Sequence, residues 1–158
     1  MKAITQDRYG SADVLELRDI ARPEPKPDEV LIRVHAAGVD QGVWHLMTGL
    51  PYLVRLGFGF SRPKTPVPGM DVAGVVEVIG PEVADFMVGD AVYGTCNGSF
   101  AEYATARGDR IAPKPANLSF EQAAAMPVSA YTALHGLRDA GKVRAGQSVL
   151  VIGAAGGV

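Results

Sequence analysis

A chain of 158 residues can bury one substantial core with part of a second attached. At 47% hydrophobic and 20% charged residues, with net charge −2, it has no electrostatic footprint for nucleic acid or an anionic membrane. No apolar run approaches the roughly 20 residues of a membrane span, and the first eight residues lack a signal-peptide core, so a cytoplasmic chain without membrane attachment is expected.

In chain order, residues 2–7 and 14–19 carry strand patterns around the turn at Tyr9–Asp13. The stretch Arg22–Asp28 holds three prolines, which cannot donate to a ladder, so it reads as loop or extended edge. Glu29 to Ala36 then alternates, with Val30, Ile32 and Val34 on one face and Leu31, Arg33 and His35 on the other. Gly38 to Thr48 reads as a short helix with Asp40 as N-cap and Gly49 as its stop. Leu50 to Pro68 is the least regular part, its aromatics mixed with basic residues. Within it, Tyr52–Arg62 fits a mobile wall over an apolar substrate, a contact with another copy or a membrane surface, or an ordinary loop.

A strand follows over Asp71–Gly80, a turn and strand over Val88–Gly94, and another strand over Phe100–Thr105. Short strands at this spacing predict a closed antiparallel barrel. Cys96 is the single cysteine, which leaves no intrachain disulfide and no multi-cysteine zinc site; no neighbour would activate its thiol, so it reads as inert. After Asn117 the texture changes. Ser119 with Gln122 forms a capping-box pattern, the run to Met126 continues a helix up to Pro127, and a further helix spans about Ser129–Ala140. Ser148–Ile152 reads as a buried strand.

That strand runs into Gly153-Ala154-Ala155-Gly156-Gly157-Val158, the way a dinucleotide-binding βα unit opens. Glycine there lets the backbone approach a pyrophosphate with no Cβ in the way. The next glycine of the pattern would fall one residue past Val158, and the helix that would receive the pyrophosphate does not follow, so the sequence reads as a fragment.

Several phrases occur in one order: Ala36-Ala37-Gly38-Val39-Asp40, Pro68-Gly69-Met70-Asp71-Val72-Ala73-Gly74, Val88-Gly89-Asp90, Phe100-Ala101-Glu102-Tyr103, Glu121-Gln122-Ala123-Ala124, Tyr131-Thr132-Ala133-Leu134 and the terminal glycine turn. Together they resemble the medium-chain dehydrogenase/reductase superfamily across essentially the whole chain. The resemblance implies a mainly β fold: a GroES-like antiparallel barrel over residues 1–122, then helices and the first strand of a truncated Rossmann domain over 123–158. Zinc alcohol dehydrogenases of this superfamily carry a cysteine and a histidine where this chain has Asp40 and Met70. A thioether does not replace an imidazole in a catalytic zinc site, so no metal is expected. The pattern is similar to the zinc-independent quinone oxidoreductase branch, which implies NADPH as cofactor and a quinone or α,β-unsaturated carbonyl as substrate. A homodimer is expected for the full-length protein.

On that resemblance, Asp40 lies at the floor of the active-site cleft, orienting substrate or nicotinamide ribose; a plain helix cap is compatible with this. Gln41 would contact the same ribose. His45, one helical turn on, could supply a proton near neutral pH, or be a solvated or core-edge histidine. Tyr52 falls at a pocket-lining position, with loop packing as the alternative. Thr132 sits where the family passes a helix under the nicotinamide, although a helical threonine can equally bond its own preceding turn. Ser129 is a weaker neighbour, Asp71 reads as a structural acceptor, and His35 and His135 as structural. Gly153, Gly156, Gly157 and Val158 would hold the pyrophosphate. The chain alone is expected to be inactive, and its unpaired terminal strand to promote self-association. Two other readings stay open: a non-catalytic GroES-like binding or assembly module, and an atypical zinc alcohol dehydrogenase.

Overall fold

The computed structural model describes residues 1–158. Seven strands form: β1 (Lys2–Thr5), β2 (Glu16–Asp19), β3 (Glu29–Ala37), β4 (Asp71–Ile79), β5 (Ala91–Thr95), β6 (Tyr103–Arg107) and β7 (Ile111–Pro113). Four α-helices join them: α1 (Gln41–Thr48), α2 (Val54–Phe58), α3 (Phe120–Ala124) and α4 (Pro127–Leu134).

β1 and β2 make a separate antiparallel hairpin, while the other five strands form one antiparallel sheet in the order β6-β3-β4-β5-β7. The sequence alternation is realised at its centre. Val30 and Ile32 of β3, Val72 and Val76 of β4 and Val92 of β5 are fully buried and meet Phe86, Cys96, Ala104 and Ala106 in one core. Each such aliphatic side chain contributes on the order of 1.5–3 kcal/mol by leaving water. β3 is flanked on both sides, and Leu31 is buried as well. Register shifts between Leu31 and Ile32 and between Val34 and Ala36 mark bulges, which bend the strand.

Those bends curl the sheet until Asn97, just past β5, forms a single bridge with Thr105 of β6. A second bridge, Ala3 to Ala101, attaches the hairpin. The mainly β, antiparallel class holds, but the expected closed barrel does not form. Closure requires a continuous ladder at every edge; β7 is three residues long and ends at Pro113, which has no N–H to extend one.

α3 has the anticipated capping box: the Gln122 N–H donates to Ser119 Oγ at 3.2 Å, and the Ser119 N–H donates to Gln122 Oε1 at 3.0 Å. Ala123 and Ala124 of this helix bury against Ala73. α1 likewise starts on Asp40, whose Oδ1 accepts from the Val43 N–H at 2.8 Å, and stops at Gly49 with φ +64°. The helix expected at Ser129–Ala140 begins two residues earlier, with Pro127 in its first turn, and widens to π-helical turns over His135–Ala140. Two short elements carried no periodic signal, α2 inside the irregular stretch and β7.

The strand expected at 148–152 is not formed. Leu150 and Ile152 are 85% and 89% exposed and join no ladder. A buried parallel-type strand exists only between neighbours, and no other segment of this chain pairs with it. No helix is long and apolar enough to cross a membrane.

Candidate active site

The start of β4 separates two cavities. Met70 lines one and Asp71 the other, so adjacent residues serve opposite sides. The second, a cleft of about 410 Å³, is bounded by Gly38–Gly42, by Asp71, by the α3–α4 junction and Ser129, and by Gly157 and Val158. It therefore brings together six of the residues singled out in the sequence: Asp40, Gln41, Asp71, Ser129, Gly157 and Val158.

Asp71 is 2% exposed and acts as a tie. Its Oδ2 accepts from the Val128 N–H at 3.3 Å, fixing the first turn of α4 to the sheet, and its backbone carbonyl accepts from the Gly38 N–H at 3.1 Å. Gly38 is required at that crossing: a Cβ there would stand 2.5 Å from the Ala124 carbonyl oxygen and 2.8 Å from Asp71 Cβ. Burial pushes the Asp71 carboxyl up to about 6, the Val128 N–H opposes this, and the Asp40 charge adds to the rise. Asp71 Oδ1 and Asp40 Oδ2 are both buried without a hydrogen-bond partner. An orphaned carboxylate oxygen beside a cleft is a ready acceptor for a ligand hydroxyl.

The other predicted residues lie elsewhere. His45 is not part of the cleft wall, although Gln41 is. Its Nδ1 lies 2.7 Å from the Leu50 carbonyl oxygen, which can only accept, so Nδ1 carries the hydrogen and the ring donates from Nε2 only as imidazolium. Tyr52 is 71% exposed, with the Arg55 guanidinium 4.8 Å from its ring centroid. Thr132 donates to the Val128 carbonyl at 2.7 Å, the helical back-bond, and lines a separate hollow with Tyr93, Arg110 and Tyr131. Gly153, at φ +72°, and Gly156 close a turn in which the Gly156 N–H donates to the Gly153 carbonyl at 2.9 Å. That turn delivers Gly157 to Ser129, whose Oγ would be 3.3 Å from a Cβ on Gly157. Cys96 is buried in the core, and burial pushes its thiol up to about 12, leaving it protonated.

Residues 26–116 match the model of the alcohol dehydrogenase GroES-like domain. The chain belongs to that family. Its relatives include the quinone oxidoreductase of Mus musculus, 41% identical over 162 residues that cover the whole chain and 46% of the relative. The NADPH-dependent alkenal/one oxidoreductase, chloroplastic, of Arabidopsis thaliana is 39% identical over 173 residues, covering the whole chain and 42% of that protein. Among solved structures, the quinone oxidoreductase from Coxiella burnetii superposes with a TM-score of 0.80 at 32% identity, over 92% of this chain and 46% of that one. The GroES-like chain thus spans about half the length of the curated relatives it matches.

A dinucleotide fits what the cleft offers: a glycine turn whose Gly157 leaves its Cβ space beside Ser129, and the orphaned Asp40 Oδ2 next to it. A zinc ion fits less well. No three His, Cys, Asp or Glu side chains converge anywhere in the chain, and Met70 opens to the opposite cavity from Asp40. Sequence reasoning passed over Gln6, which follows β1 with its side chain buried at 3% exposure and its Oε1 unpartnered. Its burial breaks the alternation of β1, since Gln6 directly follows the buried Thr5, so no strand pattern flags it.

Proposed function

We propose that this chain is the N-terminal part of a zinc-independent, NADPH-dependent oxidoreductase that reduces quinones or α,β-unsaturated carbonyl compounds. The observation that carries the reading is the cleft in which Asp40, Gln41, Ser129 and the Gly157–Val158 turn meet, although they are far apart in sequence. The names of the relatives supply the substrate class and the cofactor. In this reading, residues 1–122 form the catalytic domain and residues 123–158 open the cofactor domain, and the full-length protein is a homodimer.

NADPH, when bound, supplies a hydride, and with one proton from solvent a quinone becomes its hydroquinone and the cofactor NADP⁺. The residues of this chain position the partners. The Gly153–Val158 turn would accommodate a pyrophosphate through close backbone approach. Asp40 Oδ2 would accept from a ribose hydroxyl, with Gln41 beside it. Asp71, tied to Val128, holds β4 and α4 at a fixed spacing and so keeps the cleft open to the right width. His45, held at Nδ1, could release a proton from Nε2 to a substrate oxygen; Tyr52 and Thr132 would come into play only by approaching a ligand from the surfaces they now occupy.

The test is NADPH oxidation by the full-length protein with 9,10-phenanthrenequinone and with an alkenal, before and after exhaustive chelation. Turnover unaffected by chelation, with Asp40→Ala lowering kcat/KM by about 10- to 100-fold, is expected. Loss of turnover on chelation, restored by zinc, would overturn the zinc-independent reading. The 158-residue chain by itself is expected to show no turnover.

A further inference from the structure

The net charge of −2 conceals an uneven distribution. Residues 41–70 contain Arg55, Arg62 and Lys64 and no aspartate or glutamate, so every carboxylate sits in the rest of the chain. Within this stretch α2 and its flanks carry their polarity reversed. A surface helix ordinarily turns its apolar side inward and its charges to water. Here Leu53, Leu56 and Phe60 are 77%, 72% and 80% exposed, and Tyr52 and Phe58 are more than half exposed. Arg55 is the residue that turns inward. Its Nε donates to the Gly49 carbonyl at 3.0 Å, and its guanidinium lies 4.5 Å from the Tyr9 ring centroid.

This presentation is fastened in place. The Tyr9 hydroxyl donates to the Gly59 carbonyl at 2.6 Å and the Lys64 ammonium to the Gly57 carbonyl at 2.9 Å, so side-chain bonds hold α2 with its leucines outward. The ammonium keeps further N–H donors free. Arg62, two residues after Phe60, pairs with no carboxylate: Asp7, which shares a hollow with Arg62 and Lys64, is held by Arg18 at 2.7 Å. Exposed apolar side chains alone say little. Met87 and Val88 are also exposed, but they stand between Asp85 and Asp90. The α2 face differs in combining protruding leucine and aromatic side chains with cations and no anion.

We propose that the face formed by Tyr52–Lys64 is a docking surface for an anionic lipid bilayer, on which the protein rests without crossing it. The proposal goes beyond the reductase reading and does not depend on it. A second copy of the chain matches the face poorly, because an isologous contact meets its own image and would set Arg62 and Lys64 against Arg62 and Lys64. A bilayer matches both of its properties. Leucine and phenylalanine enter the boundary of the acyl chains, the Tyr52 ring suits the headgroup level, and lipid phosphates accept from Arg62 and Lys64.

The test is co-sedimentation of the full-length protein with vesicles of phosphatidylcholine alone and with vesicles containing about one-third phosphatidylglycerol, at low and high salt. Saturable binding to the phosphatidylglycerol vesicles is expected, about tenfold or more tighter than to phosphatidylcholine and weakened by salt. Arg62→Gln is expected to weaken it about fivefold, the share of one cation near the surface. The double variant Leu53→Ser/Leu56→Ser is expected to weaken it by more than about tenfold, and Met87→Ser/Val88→Ser to leave it within about twofold. Both leucines already lie in water, so urea unfolding of the leucine variant is expected to match the parent, which separates lost binding from lost fold. Equal affinity for the two vesicle types would overturn the proposal, as would binding that survives the leucine variant. Absence of binding to either vesicle would overturn it too, and would assign the face to a protein cover. Light scattering in which the leucine variant alone turns a dimer into a monomer would identify that cover as a second copy.

Discussion

Two stretches of this chain have nearly the same apolar character and opposite fates. Residues 30–34 of β3, Val-Leu-Ile-Arg-Val, sit between β4 and β6, and Val30 and Ile32 are shielded from water completely. Residues 148–152, Ser-Val-Leu-Val-Ile, form no ladder and lie open along their whole length. The difference teaches that apolar periodicity states a willingness to be buried. Burial itself depends on whether neighbours with free ladder edges are present.

The sharpest way to break the comparison is to trim the same side chain in both places. Ile32→Ala is expected to lower unfolding stability by about 2–5 kcal/mol, because it leaves a cavity in a packed core. Ile152→Ala is expected to change it by less than about 0.5 kcal/mol. Urea denaturation of both variants measures the contrast, and equal losses would mean the terminal segment is packed in solution.

Asp71 is the next largest effect, where the folded sheet meets the C-terminal helices. Its carboxyl is raised from the ordinary 3.8 to about 6. Below about pH 4 the folded and unfolded chains are both protonated there. Between about 4 and 6 the folded chain keeps a proton that the unfolded chain releases, so stability falls as pH rises, and above about 6 the loss is complete. Asp71→Asn keeps an acceptor for the Val128 N–H and removes the buried charge. It is expected to stabilise the chain by up to about 3 kcal/mol at pH 8 and by nothing at pH 3.5. Chemical denaturation at the two pH values checks this; a destabilised variant at pH 8 would show that the ionised carboxylate has a partner in solution.

The smallest effect separates helix from sheet. Ser119→Ala removes one half of the capping box of α3 and is expected to cost about 1 kcal/mol. Faster amide exchange confined to residues 120–126, with β3 and β4 unchanged, would mark α3 as an attached element rather than part of the sheet's cooperative unit.

Much of the architecture was legible in the residues. The alternation of β3 and β4, the caps at Asp40 and Ser119 and the stop at Gly49 are local rules, set by neighbours within four positions, and they reappear in the structure. Closure of the barrel was not legible, because it turns on one bridge between Asn97 and Thr105 and on the short β7. Within the candidate site, Asp40 shares a phrase with Gly38 and Gln41 follows it directly, so they were visible together. His45 carries the same helical spacing from Gln41 yet leaves the cleft, held by its bond to the Leu50 carbonyl. Thr132 likewise turns its hydroxyl onto its own helix.

By itself, then, the sequence determined the family, the order of strands and caps, and the chemistry of the residues near Asp40, since each is written in local pattern. Tertiary structure decided which of those residues face one another. It set Asp71 against Val128, 57 positions away, raised its carboxyl by burial, and left Gln6 Oε1 without a partner beside an apolar cavity. Such outcomes depend on desolvation and on contacts between distant segments, and both exist only once the chain has folded.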